Sequence, residues 1–517
     1  MKFSRRTVIA TALASPVILR KASAADDINA RIDVNTENIR GEIDPKIYGN
    51  FIEHLGRCID GGVFQEGNPL STPAGYRRDV LEAARDLDVT LLRWPGGNFS
   101  SNYHWLDGIG PREERPRRLE MAWGTVETNR FGTHEFLDYC QMLGTEPYIC
   151  ANLGTGTWTE AQQWVEYCNS AEDTATTRMR RRNGRREPWK VRYWALGNEM
   201  DGPWQMGHRS AEDYGKFALE AAKLMRWTDP DIKLVAAGSS NYSPGVDWSE
   251  WNGAVVEHLQ DYIDYLAIHL YVGNADNDYG EFLASSMQMD DKIETTATVI
   301  ERATSRRTDG KKIHIAFDEY NVWYRARGED QRGRRILEER YNLEDALVVA
   351  TLLNSLVNHA DVVKIANMAQ MVNVIAPIFT SDEGLFLQTI YYPLQLFARN
   401  TVGSALVLDV DVPSYRTRQF TRVPYLDVSG SIDGDALLLN VVNRHREQAI
   451  ETTIALEDKS FSGRVQVAEV NGPDIKSEND FGRTLVSTRT TTAAADGRLA
   501  TYRFPPHSFT QLKATLV

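Results

Sequence analysis

From about Ile28 onward, the hydrophobic positions fall into two textures. In the first, short β-branched and aromatic runs at 46–51, 89–94, 146–151, 191–197, 232–238, 264–270, 312–318 and 362–368 are separated by longer stretches, several of helical period. Runs that are apolar throughout, rather than alternating, mark parallel strands buried on both faces. Between them, Tyr214, Phe217, Ala218, Ala221 and Met225 share one face of a predicted helix over 211–225. Eight such units over roughly 340 residues predict a (β/α)8 TIM barrel spanning 41–390, since a doubly wound sheet rarely runs to eight. After about Gln395 the period drops to two. Alternating stretches at 404–411, 436–442, 464–470 and 507–516 predict a C-terminal antiparallel β-sandwich of jelly-roll type over 391–517. The alternating residues near 30–34 have no place in the barrel, so 26–40 is assigned to the sandwich.

Ahead of these textures, Ser4-Arg5-Arg6, the apolar run Thr7 to Leu19 and Ala22-Ser23-Ala24 have the three regions of a signal peptide over 1–24. The arginine pair favours the twin-arginine type over an ordinary signal. An exported protein, periplasmic or secreted, is the expectation. The run is too short for a stable span, and no other stretch approaches the roughly 18 apolar residues that crossing a bilayer requires, so membrane insertion is not expected. The formal charge of −13 becomes about −18 once the five positive charges of residues 1–25 are removed. That excess of acid argues against nucleic acid and anionic membranes as partners. The basic run Arg178 to Arg186 lacks interleaved aromatics and contains the turn pair Asn183-Gly184, which predicts an exposed loop. Four cysteines (Cys58, Cys140, Cys150, Cys168) without Cys-x-x-Cys spacing predict buried thiols rather than a disulfide framework. No metal-ligand spacing, phosphate loop or dinucleotide fingerprint is present, so neither metal nor cofactor is expected.

The chemistry is expected where two strand-like runs end in carboxylates. Tyr193 to Leu196 leads into Gly197-Asn198-Glu199, and Ile313 to Phe317 into Asp318-Glu319. Glu199 and Glu319 lie 120 residues apart. At about 30–45 residues per unit, they rise from strands three apart on one barrel rim, where barrel enzymes carry their active sites. A facing pair of glutamates is the equipment of a glycosidase. Twelve Trp and 21 Tyr suit a sugar cleft, although a large core also uses them.

Further motifs stand at strand ends: Tyr48-Gly49-Asn50-Phe51-Ile52-Glu53-His54-Leu55-Gly56, Arg93-Trp94-Pro95-Gly96-Gly97-Asn98-Phe99, Trp123-Gly124-Thr125-Val126-Glu127, His269-Leu270-Tyr271, Asp318-Glu319-Tyr320-Asn321-Val322-Trp323 and Asn367-Met368-Ala369-Gln370. In this order, over nearly the whole chain after the leader, the set resembles the α-L-arabinofuranosidases of glycoside hydrolase family 51. The resemblance implies Glu199 as general acid/base and Glu319 as nucleophile. Glu53, Asn98, Asn198, Tyr271 and Gln370 would hydrogen-bond the furanose, and Trp123 and Trp323 would wall the cleft. It also implies a homo-oligomer and, as substrates, arabinose-containing polysaccharides or oligosaccharides such as arabinoxylan and arabinan. Read from the residues alone, Glu53-His54 is also compatible with an ion pair closing the barrel, and the two tryptophans with core aromatics. Two departures from the pattern, Tyr320 after the nucleophile and Asp60 after Cys58-Ile59, bear on substrate preference rather than on the pair. The alternatives are the same machinery acting as an endoglucanase or β-xylosidase, and a carbohydrate-binding protein without catalysis.

Overall fold

The computed structural model describes residues 28–240, 248–326 and 335–517. The strands up to Ala369 are β1 (Ile28–Val34), β2 (Ile39–Glu42), β3 (Gly49–Phe51), β4 (Leu91–Trp94), β5 (Arg118–Glu120), β6 (Thr125–Glu127), β7 (Glu146–Ala151), β8 (Tyr193–Leu196), β9 (Lys233–Ala237), β10 (Tyr265–Val272), β11 (His314–Val322) and β12 (Val363–Ala369). Eight of them, β3, β4 and β7 to β12, close into a parallel barrel in chain order. Its interior is packed by Leu91, Tyr148, Cys150, Tyr193, Ala195, Val235, Tyr265, Ala267, Ala316 and Ile365, so the barrel is a filled core and its chemistry is confined to the rim.

The first barrel strand is shorter than the 46–51 run predicts. Asp44 accepts from the Lys46 N–H at 3.1 Å and Pro45 follows it, so the chain takes a 3-10 turn over Pro45–Tyr48 before Gly49 enters the sheet. In the other direction, β10 and β11 outrun their predicted ends, carrying Tyr271 and Asn321 above the rim. The helix over Ala211–Thr228 buries Tyr214, Ala218, Ala221 and Met225, as its period requires.

The C-terminal region stacks a five-stranded sheet on a seven-stranded one. The stretch 404–411, expected as one strand, is two. Ser404–Leu406 pairs in the larger sheet and Asp409–Asp411 in the smaller, with the chain crossing between sheets at Val407-Leu408. β1 lies in the smaller sheet, antiparallel to Asp409–Asp411 and parallel to Ile450–Leu456, an exception to the antiparallel rule of the rest.

The basic run is not the exposed loop expected. A helix spans Ala175–Arg182, capped by Thr174, and Arg180 is buried, donating to the carbonyls of Tyr167, Ser170 and Arg186. All four cysteines are free and buried. Among the described residues no helix is long and apolar enough to cross a membrane. The leader expected at 1–24 lies outside the described residues.

Candidate active site

At the end of β8 the chain turns sharply. Gly197 and Glu199 both adopt positive φ, +83° and +45°. A Cβ at Gly197 would also press on Leu153 at 3.1 Å, so glycine is required there. Glu199 is not a glycine, and its left-handed backbone costs about 1–2 kcal/mol, strain that the surrounding fold must hold.

The partner strand uses a different device. Ala267 pairs with Ala316 and His269 with Glu319, so β11 advances three residues while β10 advances two. The register with β12 slips in the same sense between Phe317 and Tyr320. In a regular strand, consecutive side chains point to opposite faces. The extra residue in β11 relieves that rule, and both Asp318 and Glu319 are turned into the barrel mouth, buried.

Arg93 and His269 tie the carboxylates together, and Tyr271 and Trp204 each hold one of them. Arg93, fully buried on β4, donates to Glu319 Oε1 at 2.6 Å and to Asn198 Oδ1 at 2.6 Å, and its Nε lies 3.5 Å from Asp318. Tyr271 donates to Glu319 Oε2 at 2.8 Å. His269 Nδ1 lies 3.0 Å from Glu199 Oε1 and 3.5 Å from Glu319 Oε2, and its Nε2 lies 3.0 Å from Asp318 Oδ1. Trp204 donates its indole N–H to the other oxygen of Glu199 at 2.6 Å. Below, the buried Lys292 ammonium donates to the carbonyls of Ser239 (3.1 Å) and His269 (2.8 Å), where the β9–β10 ladder has ended.

Glu53, at the end of β3, forms a second centre. It accepts from the Phe99 N–H (3.0 Å), the Trp123 indole (3.1 Å) and the Gln370 amide (2.8 Å). Trp123 reaches it from the turn of the β5–β6 hairpin, where Glu120 accepts the N–H groups of Ala122 (2.7 Å) and Trp123 (2.6 Å). The alternative ion pair is not seen. His54 pairs instead with Glu127 at 3.0 Å and accepts from Trp94. Gly97 approaches both centres, since a Cβ there would lie 3.2 Å from Glu53 and 3.4 Å from Glu319. Asn98 follows it, partly buried at the head of the 3-10 turn Asn98–Asn102. Trp323 is partly buried, its ring edge-on to Tyr271 at 5.6 Å. Trp123 and Trp323 are therefore rim residues and not fully enclosed core aromatics.

Charge is distributed unevenly over the cluster. Burial, together with the Glu319 charge and against the Phe99 hydrogen bond, pushes Glu53 up to about 8. Burial opposes charge on His269, but Glu319 and the bonds to Asp318 and Glu199 outweigh it and raise the imidazole to about 10. Its stabilising contribution is therefore complete below the ordinary value of 6.5 and is lost as pH rises from there toward 10. The Tm difference between wild type and His269→Gln should shrink steadily across that window. A difference that is constant with pH would contradict the imidazolium. Glu199, His269 and Glu319 also offer three ligand atoms within 4.8 Å of one another. Both imidazole nitrogens already face carboxylates, so a metal ion would have to displace the proton that holds the cluster together.

All nine residues singled out by sequence thus lie at or beside the two centres. Arg93, His269, Asp318 and Trp204 were not among them. A lone Arg in the apolar run 89–94 and a lone His in 264–270 were the available signals, because a charged or polar residue in a buried strand must have a partner.

Residues 83–292 match the alpha-L-arabinofuranosidase 1 domain, and residues 318–508 match the alpha-L-arabinofuranosidase C-terminal domain. An intracellular exo-alpha-(1->5)-L-arabinofuranosidase of Halalkalibacterium halodurans is 42% identical over 82% of this chain and 86% of its own. Its counterpart from Bacillus subtilis is 42% identical over 88% and 92%. The solved structure of a family 51 alpha-L-arabinofuranosidase from Bifidobacterium longum superposes with a TM-score of 0.89 at 33% identity, covering 94% of this chain and 99% of that one. Both named relatives are intracellular, which overturns the expectation of an exported protein drawn from the first 24 residues. A closed barrel, a C-terminal sandwich and identity of this extent over most of both chains lead to one conclusion: the chain belongs to the α-L-arabinofuranosidases of glycoside hydrolase family 51.

Proposed function

We propose that the enzyme is exo-acting and retaining, releasing terminal α-L-arabinofuranosyl residues from arabinoxylan, arabinan or their oligosaccharides by double displacement. One observation carries the stereochemistry: an oxygen of Glu199 and an oxygen of Glu319 lie within 4.8 Å of each other. Retaining glycosidases space their carboxyl groups by about 5–5.5 Å, whereas inverting ones need about 6.5–9.5 Å to admit a water between base and sugar.

Glu319, receiving Arg93 and Tyr271, is the nucleophile. Its oxygen bonds to the anomeric carbon as the glycosidic C–O bond breaks, and Glu199 gives its proton to the departing oxygen. In the second step Glu199 takes a proton from water, whose oxygen attacks the anomeric carbon and releases Glu319 from the ester. Asn198, its carbonyl pinned by Arg93, turns toward the sugar 2-OH, and Glu53, Asn98, Tyr271 and Gln370 bind the remaining furanose oxygens. Trp123 and Trp323 wall the cleft.

Hydrolysis of an aryl α-L-arabinofuranoside is the direct test, set beside an aryl β-xyloside and carboxymethylcellulose. We expect turnover of the first and release of arabinose alone from arabinan. Cleavage of carboxymethylcellulose, or arabinan cut into longer fragments, would favour the endo-acting alternative.

A further inference from the structure

Beyond Trp323 the chain folds back around one buried carboxylate. Glu339, its side chain inaccessible to solvent, accepts the N–H of Tyr324 (3.3 Å) and Arg325 (2.9 Å) with one oxygen and that of Ala326 (2.6 Å) with the other. The Arg325 guanidinium lies 3.6 Å from the first oxygen. The Trp323 indole N–H closes the turn on the Ala326 carbonyl at 2.9 Å, and the Trp323 backbone N–H bonds Val272 at 2.8 Å. Glu339 is itself fixed, its N–H on the Leu337 carbonyl and its own carbonyl accepting from Gln388 at 3.0 Å.

Three successive N–H groups converging on an anion form a nest, and hydrogen bonds to a charged acceptor are stronger than neutral ones. Each side of this arrangement depends on the other. A carboxylate this deep needs its donors, and the N–H groups of the turn would otherwise be left unpaired. The arrangement leads from Glu339 through the turn to the Trp323 ring, from that ring to Tyr271 at 5.6 Å, and from the Tyr271 hydroxyl to Glu319 at 2.8 Å.

We propose that Glu339 is a positioning residue for substrate selection: without touching the sugar, it fixes the Trp323 wall against Tyr271 and so sets the width of the cleft beside Glu319. The proposal rests on the wall role given to Trp323 above. Its consequence is that Glu339 acts on the substrate only through Trp323.

A double-mutant cycle on 1,5-α-L-arabinotriose tests this, with kcat and KM measured for wild type, Glu339→Gln, Trp323→Ala and the pair, each checked by thermal melting. Glutamine turns an N–H donor against the nest, so KM should rise about tenfold, less than the roughly 10²-fold that a full 1 Å misplacement can cost. Trp323→Ala should raise KM at least as much, and the double variant should be no worse than Trp323→Ala alone, because contacts acting in series do not add. Glu339→Asp, which keeps the charge, should recover part of the loss, and it replaces the glutamine variant in the cycle if that variant does not fold. Multiplying losses, an inert Glu339→Gln, or failure of both Glu339 variants to fold would each overturn the proposal. An inert Trp323→Ala would instead refute the wall role, and the proposal with it.

Discussion

Glu319→Ala should lose at least about 10⁴-fold in kcat on every arabinofuranoside, because removing the proposed nucleophile removes the covalent route itself. The loss should not depend on the leaving group. Bond formation to the anomeric carbon fails whether or not the departing oxygen needs a proton. The vacated space beside Arg93 and Tyr271 is the size of a small anion and keeps two donors aimed into it. Azide entering there would attack the α-glycoside from the nucleophile's side and give the inverted β-L-arabinofuranosyl azide. Rate measurements with aryl and alkyl arabinofuranosides, with and without azide, check both parts. A variant within tenfold of wild type would remove Glu319 from the role.

Glu199→Ala should behave differently, since the two duties proposed for it fall in different steps. For natural arabinosides the departing sugar oxygen needs a proton, and glycosylation should slow about 10²–10⁴-fold, the usual worth of general acid catalysis. For an aryl arabinofuranoside with a good leaving group, the first step survives and hydrolysis of the ester, now without a base, becomes limiting. Pre-steady-state measurements should show a burst of phenol and a low KM. Azide needs no base, so it should restore turnover of the aryl substrate. Equal losses on good and poor leaving groups would contradict an acid/base role.

These two glutamates were legible in the sequence because each follows a buried apolar run, and a buried parallel strand is an apolar run that few other elements imitate. Their pairing across one rim was legible from their spacing, but the local backbone that turns them toward each other was not. The bulge in β11 that turns both Asp318 and Glu319 inward is a property of register between strands, and register is absent from one strand's composition. The same holds for His269, whose carboxylate partners stand just beyond β8 and on β11, and for the Glu339 nest, which joins segments 13 to 15 residues apart. Elsewhere local chemistry overrode the pattern. Asp44-Pro45 made a turn of what read as strand, and Arg180 is buried because carbonyls at the end of the preceding helix receive it. The 404–411 stretch alternates as one strand should, yet crosses from sheet to sheet, a distinction that alternation alone does not encode. The leader shows the limit from the other side, since its three-part pattern predicted export and the intracellular relatives overturn it.

The most direct test of double displacement through Glu319 is the anomeric configuration of the arabinosyl azides formed by the two variants, read by proton NMR. Displacement by azide from the Glu319 ester inverts a second time, so Glu199→Ala should yield the α-azide, with the configuration of the substrate retained. Glu319→Ala, acting in one step, should yield the β-azide. A β-azide from Glu199→Ala, or an α-azide from Glu319→Ala, would contradict the assignment of the two roles.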